Sequence, residues 1–402
     1  MIELIQNGSV TWARGFLAGG IHAGIKTSGE DALDLGILFS EHEATVAGTY
    51  TTNKVISPSV KLTKSRASKQ TAQGVVVNSG CANCCVGDVG LKDAEEMTSL
   101  AADHVNASQE NMLVASTGMI GVELPMALVR QNIGNIEVTS NGGHDFARTI
   151  MTTDTHPKEL AVSVDIDGTK IVFGGAAKGV GMIHPNMATM LAFIATDAKV
   201  EPGFLDQSLR KAVDLSFNMI DVDGDQSTND TVLVLANAAA GGNVIEKGSK
   251  EARAFQDGLD YVCTELAKEL VRDGEGAQRL LEVTLYGAHN LADARTAART
   301  IASSLLVKSM VHGRDPNWGR IMMGLGKSGI KFDESNVDIF INEIHIVHQG
   351  VAIPYLKDAV VSAMSVPEVK LTVNVGAGDS SATAWGCDLT EEYVTFNSAY
   401  ST

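Results

Sequence analysis

Four stretches of the chain place apolar side chains at steps of three and four. Leu91, Ala94, Met97, Leu100, Ala101 and Val105 form one stripe, and Leu205, Leu209, Val213 and Phe217 form a second, opened by Pro202. A third runs Phe255, Leu259, Val262, Leu266, Leu270, and a fourth Ala294, Ala298, Ile301, Leu305. Each is the period of an amphipathic helix, and proline suits a first helical turn, where its missing N–H would go unbonded anyway. Between the stripes lie strands. Leu160, Val162 and Val164 alternate with polar neighbours, and Asp167-Gly168 reads as a hairpin turn into Ile171-Val172-Phe173. Val232 to Leu235 and Val283 to Tyr286 are short apolar strands. Val337 to Ile341 and Ile344 to His348 flank a hairpin turn at Asn342-Glu343, and Leu371, Val373 and Val375 alternate again. Hairpins and helices interleave without a strand–helix–strand rhythm. The pattern therefore predicts an α/β chain of mixed α+β type rather than a doubly wound parallel sheet.

Length and composition narrow this picture. A chain of 402 residues calls for two or three domains, and 44% apolar with 20% charged residues is ordinary for a globular protein. A formal net charge of −17, with no cluster of Lys and Arg, argues against nucleic acid and against an anionic membrane surface. The first residues lack a basic start and an apolar stretch, and no apolar run approaches the roughly 20 residues of a membrane helix. A cytoplasmic location is the expectation. Five cysteines, three of them at Cys81, Cys84 and Cys85, do not suggest a disulfide framework.

One composition shift points to chemistry. Gly174, Gly175, Gly179, Gly181 and Pro185 crowd together and lead through Ala188 and Thr189 into the apolar strand Met190 to Ile194. A threonine hydroxyl is a weak nucleophile and needs a base. If the chain is cut before Thr189, the new α-amino group supplies one, since such amines ordinarily titrate at about 7.7–8.0. The cut can be intramolecular, because small Ala188 leaves room for the hydroxyl to attack its carbonyl. The plainer reading is a β-branched residue at the start of a strand. Likewise Ser116-Thr117-Gly118 is either an ordinary turn or, through the Thr117 hydroxyl and the Gly118 N–H, a pair of donors for an oxyanion. Lys178 is either a solvated lysine or a cation that binds a carboxylate or lowers the pKa of the Thr189 amine.

Two further clusters invite a metal. Asp221, Asp223, Asp225 and Asp230 suggest a calcium loop, but Gln226 stands where an EF-hand needs glycine and no glutamate closes it. A turn held by side-chain hydrogen bonds is the expectation. Cys81-Ala82-Asn83-Cys84-Cys85 contains a C-x-x-C but has no second ligand pair to complete a tetrahedral zinc site, so its cysteines read as small buried thiols. No metal and no cofactor are expected.

The run Lys178-Gly179-Val180-Gly181-Met182-Ile183, followed by Met187-Ala188-Thr189-Met190-Leu191, closely resembles the signature of the ornithine acetyltransferase (glutamate N-acetyltransferase) family. Further segments match in family order, from about residue 15 to the C-terminus. They include Gly20 to Lys26, Thr51 to Lys54, Ser116 to Gly121, Met151 to Thr155, Asp223 to Thr231, Asp315 to Arg320 and Asn397 to Thr402. The family's usual Asn-rich run fits at Cys85 but not at Cys81 or Cys84, and that departure bears on acceptor preference.

The resemblance implies a layered N-terminal-nucleophile-like fold with a smaller C-terminal α+β domain at 280–402. It also implies self-cleavage between Ala188 and Thr189 into an α chain, 1–188, and a β chain, 189–402, assembled as an α2β2 heterotetramer. Thr189 would be the nucleophile, and Thr117 and Gly118 the oxyanion hole. Thr152, Lys178, Thr189, Glu275, Asn397 and Thr402 would contact the substrate, with Thr153 and Thr155 close neighbours of Thr152. Glycines on both sides of Glu275 would let its carboxylate approach a cationic amine. The implied reaction moves acetyl from N2-acetyl-L-ornithine to L-glutamate through an acetyl-threonine, recycling the group in arginine biosynthesis. Other readings are acetyl-CoA as a second donor, an acceptor from a secondary-metabolite pathway, a threonine-nucleophile amidase or aminopeptidase, and a cysteine-based metal or redox protein.

Overall fold

The structure, a computed structural model, describes residues 2–26, 32–184 and 190–399. Among these residues two mixed β-sheets dominate, covered by helices, so the chain is mixed α+β. The larger sheet orders its strands Ile2–Ile5, Lys158–Ile166, Thr169–Lys178, Leu191–Thr196, Thr231–Ala236, Leu35–Tyr50, Thr71–Cys81 and Met112–Met119, with Phe16–Ile21 also pairing with Leu35–Tyr50. Its central strands Leu191–Thr196 and Thr231–Ala236 run parallel and are buried at every position. That explains their unbroken apolar sequence: a strand covered on both faces has no polar side to present.

One face of this sheet carries the helix Ala252–Arg272, whose stripe Phe255, Leu259, Val262, Leu266 and Leu270 is wholly buried. Gly258 makes the close approach possible, since a Cβ there would stand 2.8 Å from the Phe173 ring. Helices Pro58–Ala67 and Val89–Val105 pack against Met112–Met119 at the edge of the sheet. The smaller sheet joins Val351–Ala352, Ile344–His348, Asp338–Ile341, Glu368–Asn374, Leu280–Ala288, Ser380–Cys387 and Ile220–Asp221. Helix Leu291–Ala302 covers it. One apolar cluster runs from helix 252–272 through to this second sheet.

Both hairpin turns form as expected. Asp167 and Gly168 have φ of +53° and +79°, and Asn342 and Glu343 of +42° and +69°, the positive-φ pair that a two-residue turn needs to match strand twist. Two stripes are cut shorter than their periodicity suggests. The helix Pro202–Leu215 stops at Ser216, whose hydroxyl bonds back to the Ala212 carbonyl, so Phe217 is buried from a separate turn. The fourth stripe is split: Leu291–Ala302 ends, Ser304 adopts extended backbone, and Leu305 opens the next helix, Leu305–Gly313, with its side chain largely exposed. The Ser216 hydroxyl competes for a backbone carbonyl, and Ser304 breaks the helix through its backbone angle; a count of apolar spacings registers neither. No helix among the described residues is long and apolar enough to cross a membrane.

Candidate active site

Strands Thr71–Cys81 and Met112–Met119 run parallel until Gly80 meets Gly118, where the ladder turns irregular. Gly118 has φ of +127°, and a Cβ there would lie 2.3 Å from the Gly80 carbonyl carbon, so no other residue fits the crossing. The consequence is a main chain bared toward a cavity of about 100 Å3 lined by Thr117, Gly118, Thr152, Lys178, Glu275 and Asn397, among others. Asn229 braces this wall from the far side of the sequence. Its buried amide donates to the Ala82 carbonyl at 2.7 Å and the Ser116 carbonyl at 2.8 Å.

Lys178 ends the strand Thr169–Lys178 opposite Leu191, two residues beyond Thr189. It is buried, and its Nζ donates to Thr117 Oγ1 at 3.2 Å. A hydroxyl that accepts from an ammonium keeps its own hydrogen free to donate elsewhere. Burial pushes the Lys178 ammonium below its ordinary value, against the pull of Asp154, Asp230 and Glu275. Close by, burial brings Lys26 down to about 8, with Asp34 opposing and Lys178 reinforcing the shift.

Asp154 is buried beneath these cations. One carboxylate oxygen accepts from Lys158 Nζ at 2.7 Å and the Gly179 N–H at 2.8 Å, and the other from the Thr152 N–H at 2.9 Å. Burial alone would raise its pKa, but Lys178 and Lys158 outweigh that and hold it below the ordinary range. Lys158 also reaches Asp273 at 2.5 Å, and Asp273 accepts from Thr155. The loop 152–155, the end of strand 169–178 and the end of helix 252–272 are thereby tied to one buried ammonium.

Glu275 follows two residues after Asp273. Its N–H donates to the Val180 carbonyl at 2.8 Å, and its carboxylate accepts from Thr153 Oγ1 and Asn397 Nδ2, each at 2.8 Å. The carboxylate lies against Gly181, where a Cβ would stand 2.6 Å away. Asn397 brings the helix Glu391–Ala399 to the cavity rim.

Of the residues expected from the sequence, Thr117, Gly118, Thr152, Lys178, Glu275 and Asn397 line one cavity. Thr153 lines it too and holds Glu275, whereas Thr155 bonds Asp273. Ala188, Thr189 and Thr402 lie outside the described residues. The chain on either side of that gap is held by carboxylates of the supposed calcium loop. Asp223 accepts from the N–H groups of Met182 and Ile183 at 2.6 and 2.9 Å, and Asp230 from the Met190 N–H at 2.9 Å. Asp221 meets His184 Nδ1 at 2.9 Å. Asp230 is fully buried, which pushes its carboxyl well above the ordinary range despite Met190 and Lys178.

Cys81 and Cys84 are buried, and burial pushes both thiols up, so neither is a ready thiolate nucleophile. Cys85 departs from the buried-thiol expectation and is exposed, on a turn residue with φ of +60°. Asp154, Lys158, Asp273, Asn229 and Lys26 are site members that sequence reasoning did not single out, although Asp154, Asn229 and Lys26 fall within segments that match the family.

A family model described as the ArgJ family matches residues 17–402. The chain is 45% identical over 401 residues to the arginine biosynthesis bifunctional protein ArgJ of Dehalococcoides mccartyi, covering 100% of this chain and 99% of that one. It is 48% identical over 397 residues to the protein of the same name from Symbiobacterium thermophilum, covering 98% and 99%. Among solved structures, a chain of the arginine biosynthesis bifunctional protein argJ from Bacillus halodurans is similar with a TM-score of 0.51 and 37% identity. That match covers 52% of this chain and 98% of the solved one.

Proposed function

This chain belongs to the ArgJ family, and on that premise we propose that it transfers acetyl from N2-acetyl-L-ornithine to L-glutamate with Thr189 as the nucleophile. The observation that carries this reading is the convergence of Thr117, Gly118, Lys178 and Glu275 on one cavity, beside the two segments that run up to and away from Thr189. The Thr189 hydroxyl attacks the acetyl carbonyl while its own α-amine takes the proton. The oxyanion receives the Gly118 N–H and the Thr117 hydroxyl, whose hydrogen the Lys178 contact leaves free. Ornithine leaves with the proton from the α-amine, and the amine of glutamate then attacks the ester, restoring free Thr189. Glu275, held by Thr153 and Asn397, faces the cationic end of ornithine, and Thr152 and Thr402 are further substrate contacts in this reading.

Processing between Ala188 and Thr189 supplies the α-amine. The solved Bacillus halodurans chain supports such a cut, because nearly all of it matches only 52% of this chain, and residues 189–402 are 214 of 402. The two pieces assemble as α2β2 in the cytoplasm, in this reading, with the C-terminal domain at 280–402. The relatives are named bifunctional, which favours acetyl-CoA as a second donor to glutamate here. Denaturing electrophoresis with N-terminal sequencing tests the processing step. Wild-type protein separates into two fragments, the larger beginning Thr-Met-Leu-Ala, while Thr189→Ala stays whole and inactive. Uncut wild type with full activity contradicts the mechanism. Adding acetyl-CoA and glutamate without N-acetylornithine tests the second donor by release of free thiol.

A further inference from the structure

The smaller sheet carries a separate set of metal-ligating side chains on the hairpin formed by Asp338–Ile341 and Ile344–His348. His348 Nδ1 lies 2.8 Å from Asp338 Oδ1, and His345 Nε2 lies 3.5 Å from the same oxygen. One ligand atom from each of the three residues falls within 4.8 Å of the others.

A regular strand would keep these histidines apart. Residues 345 and 348 are three positions apart, and with side chains alternating they would face opposite sides of the sheet. The ladder contains a bulge instead. Ile339 pairs with Val347, but the next residue, Phe340, pairs with His345, so Ile346 is extra. Ile346 and Val347 are both wholly buried, and the strand emerges with His348 on the solvent side that already holds His345, Asp338 and Phe340. Bulges commonly re-aim a side chain in this way.

Supporting contacts orient two of the three ligands, His345 and Asp338. The Phe340 ring stacks on the His345 imidazole with centroids 4.2 Å apart and planes at 14°. The Gln349 N–H donates to Asp338 Oδ1 at 3.0 Å, the kind of outer contact that aligns a ligating carboxylate. A hydrogen-bonded His–Asp pair accounts for His348, whereas His345 reaches Asp338 only at ion-pair distance, 3.5 Å. The His345 Nε2 is buried and makes no hydrogen bond among the described residues.

We propose that Asp338, His345 and His348 bind a borderline divalent transition-metal ion, Zn2+ above all. Zinc–nitrogen and zinc–oxygen bonds of about 2.0–2.2 Å in a tetrahedron place ligand atoms roughly 3.3–3.6 Å apart. The 3.5 Å between His345 and Asp338 already meets this, and the 2.8 Å hydrogen bond between His348 and Asp338 opens by about half an ångström when the ion displaces its proton. Two imidazoles with one carboxylate favour zinc over Ca2+ or Mg2+, which call for oxygen-rich shells. Water completes the fourth position, and the ion pins together the two strands of the hairpin.

The test uses the full protein, stripped with a chelator, dialysed and titrated with zinc sulfate against a chromophoric competitor. Wild type takes up one tightly held zinc per chain, and its Tm rises with zinc. His345→Ala and His348→Gln each weaken binding by at least about tenfold and abolish the Tm rise, since losing a ligand costs no less than losing an outer contact. His144→Ala, altered at another histidine paired with a carboxylate, binds as wild type does. His348 is exposed, so its variant folds and keeps the experiment decisive. A wild type that binds no stoichiometric zinc, or a His345→Ala/His348→Gln double variant that binds as tightly, overturns the proposal.

Discussion

At the level of single residues, the cavity separates what a side chain does from what it makes possible. Under the proposed function, Thr117 donates to the oxyanion because Lys178 occupies its acceptor side, and Gly118 exposes its N–H because nothing larger than hydrogen fits beside Gly80. Thr117→Ala therefore keeps the fold and lowers kcat by about 10²–10³, the usual loss for one oxyanion donor, which steady-state assay of ornithine release measures. Unchanged kcat would make Thr117 a turn residue only. Lys26 gives a pH signature. Its folded value, about 8, lies below its ordinary 10.5, so between those values the unfolded chain binds more protons and wild type gains stability as pH rises. Lys26→Met lacks that gain. The stability difference between the two, from denaturant unfolding, moves toward wild type from pH 8 to 10.5, whereas a pH-independent difference would place the Lys26 ammonium in water. The meeting of Thr117, Gly118, Lys178 and Glu275 at one cavity follows a family resemblance that had already marked each of them in the sequence. The bracing by Asn229 was not legible there, because its bonds reach Ala82 and Ser116, 147 and 113 positions away.

Elements follow the same division. Periodicity located the helix Ala252–Arg272 and the turns at Asp167-Gly168 and Asn342-Glu343, since burial of one face and positive φ are local demands. It ran past the ends of two helices because Ser216 and Ser304 act through hydrogen bonds and backbone angle rather than hydropathy. It also gave no hint of the joint among loop 152–155, strand 169–178 and helix 252–272. That joint is the Lys158 ammonium between Asp154 and Asp273, with the side chains of Lys158 and Asp154 wholly buried. Replacing Lys158 by Met leaves two buried carboxylates facing each other without the ammonium that bridges them, Asp154 keeping only the field of Lys178. The expected loss is about 3–5 kcal/mol in denaturant unfolding, far above the value of a surface pair. A loss under about 1 kcal/mol would mean the carboxylates are solvated or protonated when Lys158 is removed.

Across the whole molecule, the larger sheet assembles the cavity from distant parts of the chain. Strand 112–119 supplies Thr117 and Gly118, strand 169–178 supplies Lys178, the turn after helix 252–272 supplies Glu275, and the helix Glu391–Ala399 supplies Asn397. Mixed α+β architecture could be read from interleaved hairpins and helices. The order of strands could not, because pairings such as Thr231–Ala236 beside both Leu191–Thr196 and Leu35–Tyr50 leave no local trace. The arrangement has one chemical meaning under the proposed function: an acetyl group rests on Thr189 between the departure of one amine and the arrival of the other. Processed protein mixed with N-acetylornithine, without glutamate, and quenched in acid exposes that state to peptide mass spectrometry. One acetyl group is expected on the peptide that begins at Thr189, removed by hydroxylamine as an ester is and lost when glutamate is added before the quench. Active protein whose Thr189 peptide never carries acetyl would contradict a threonine nucleophile.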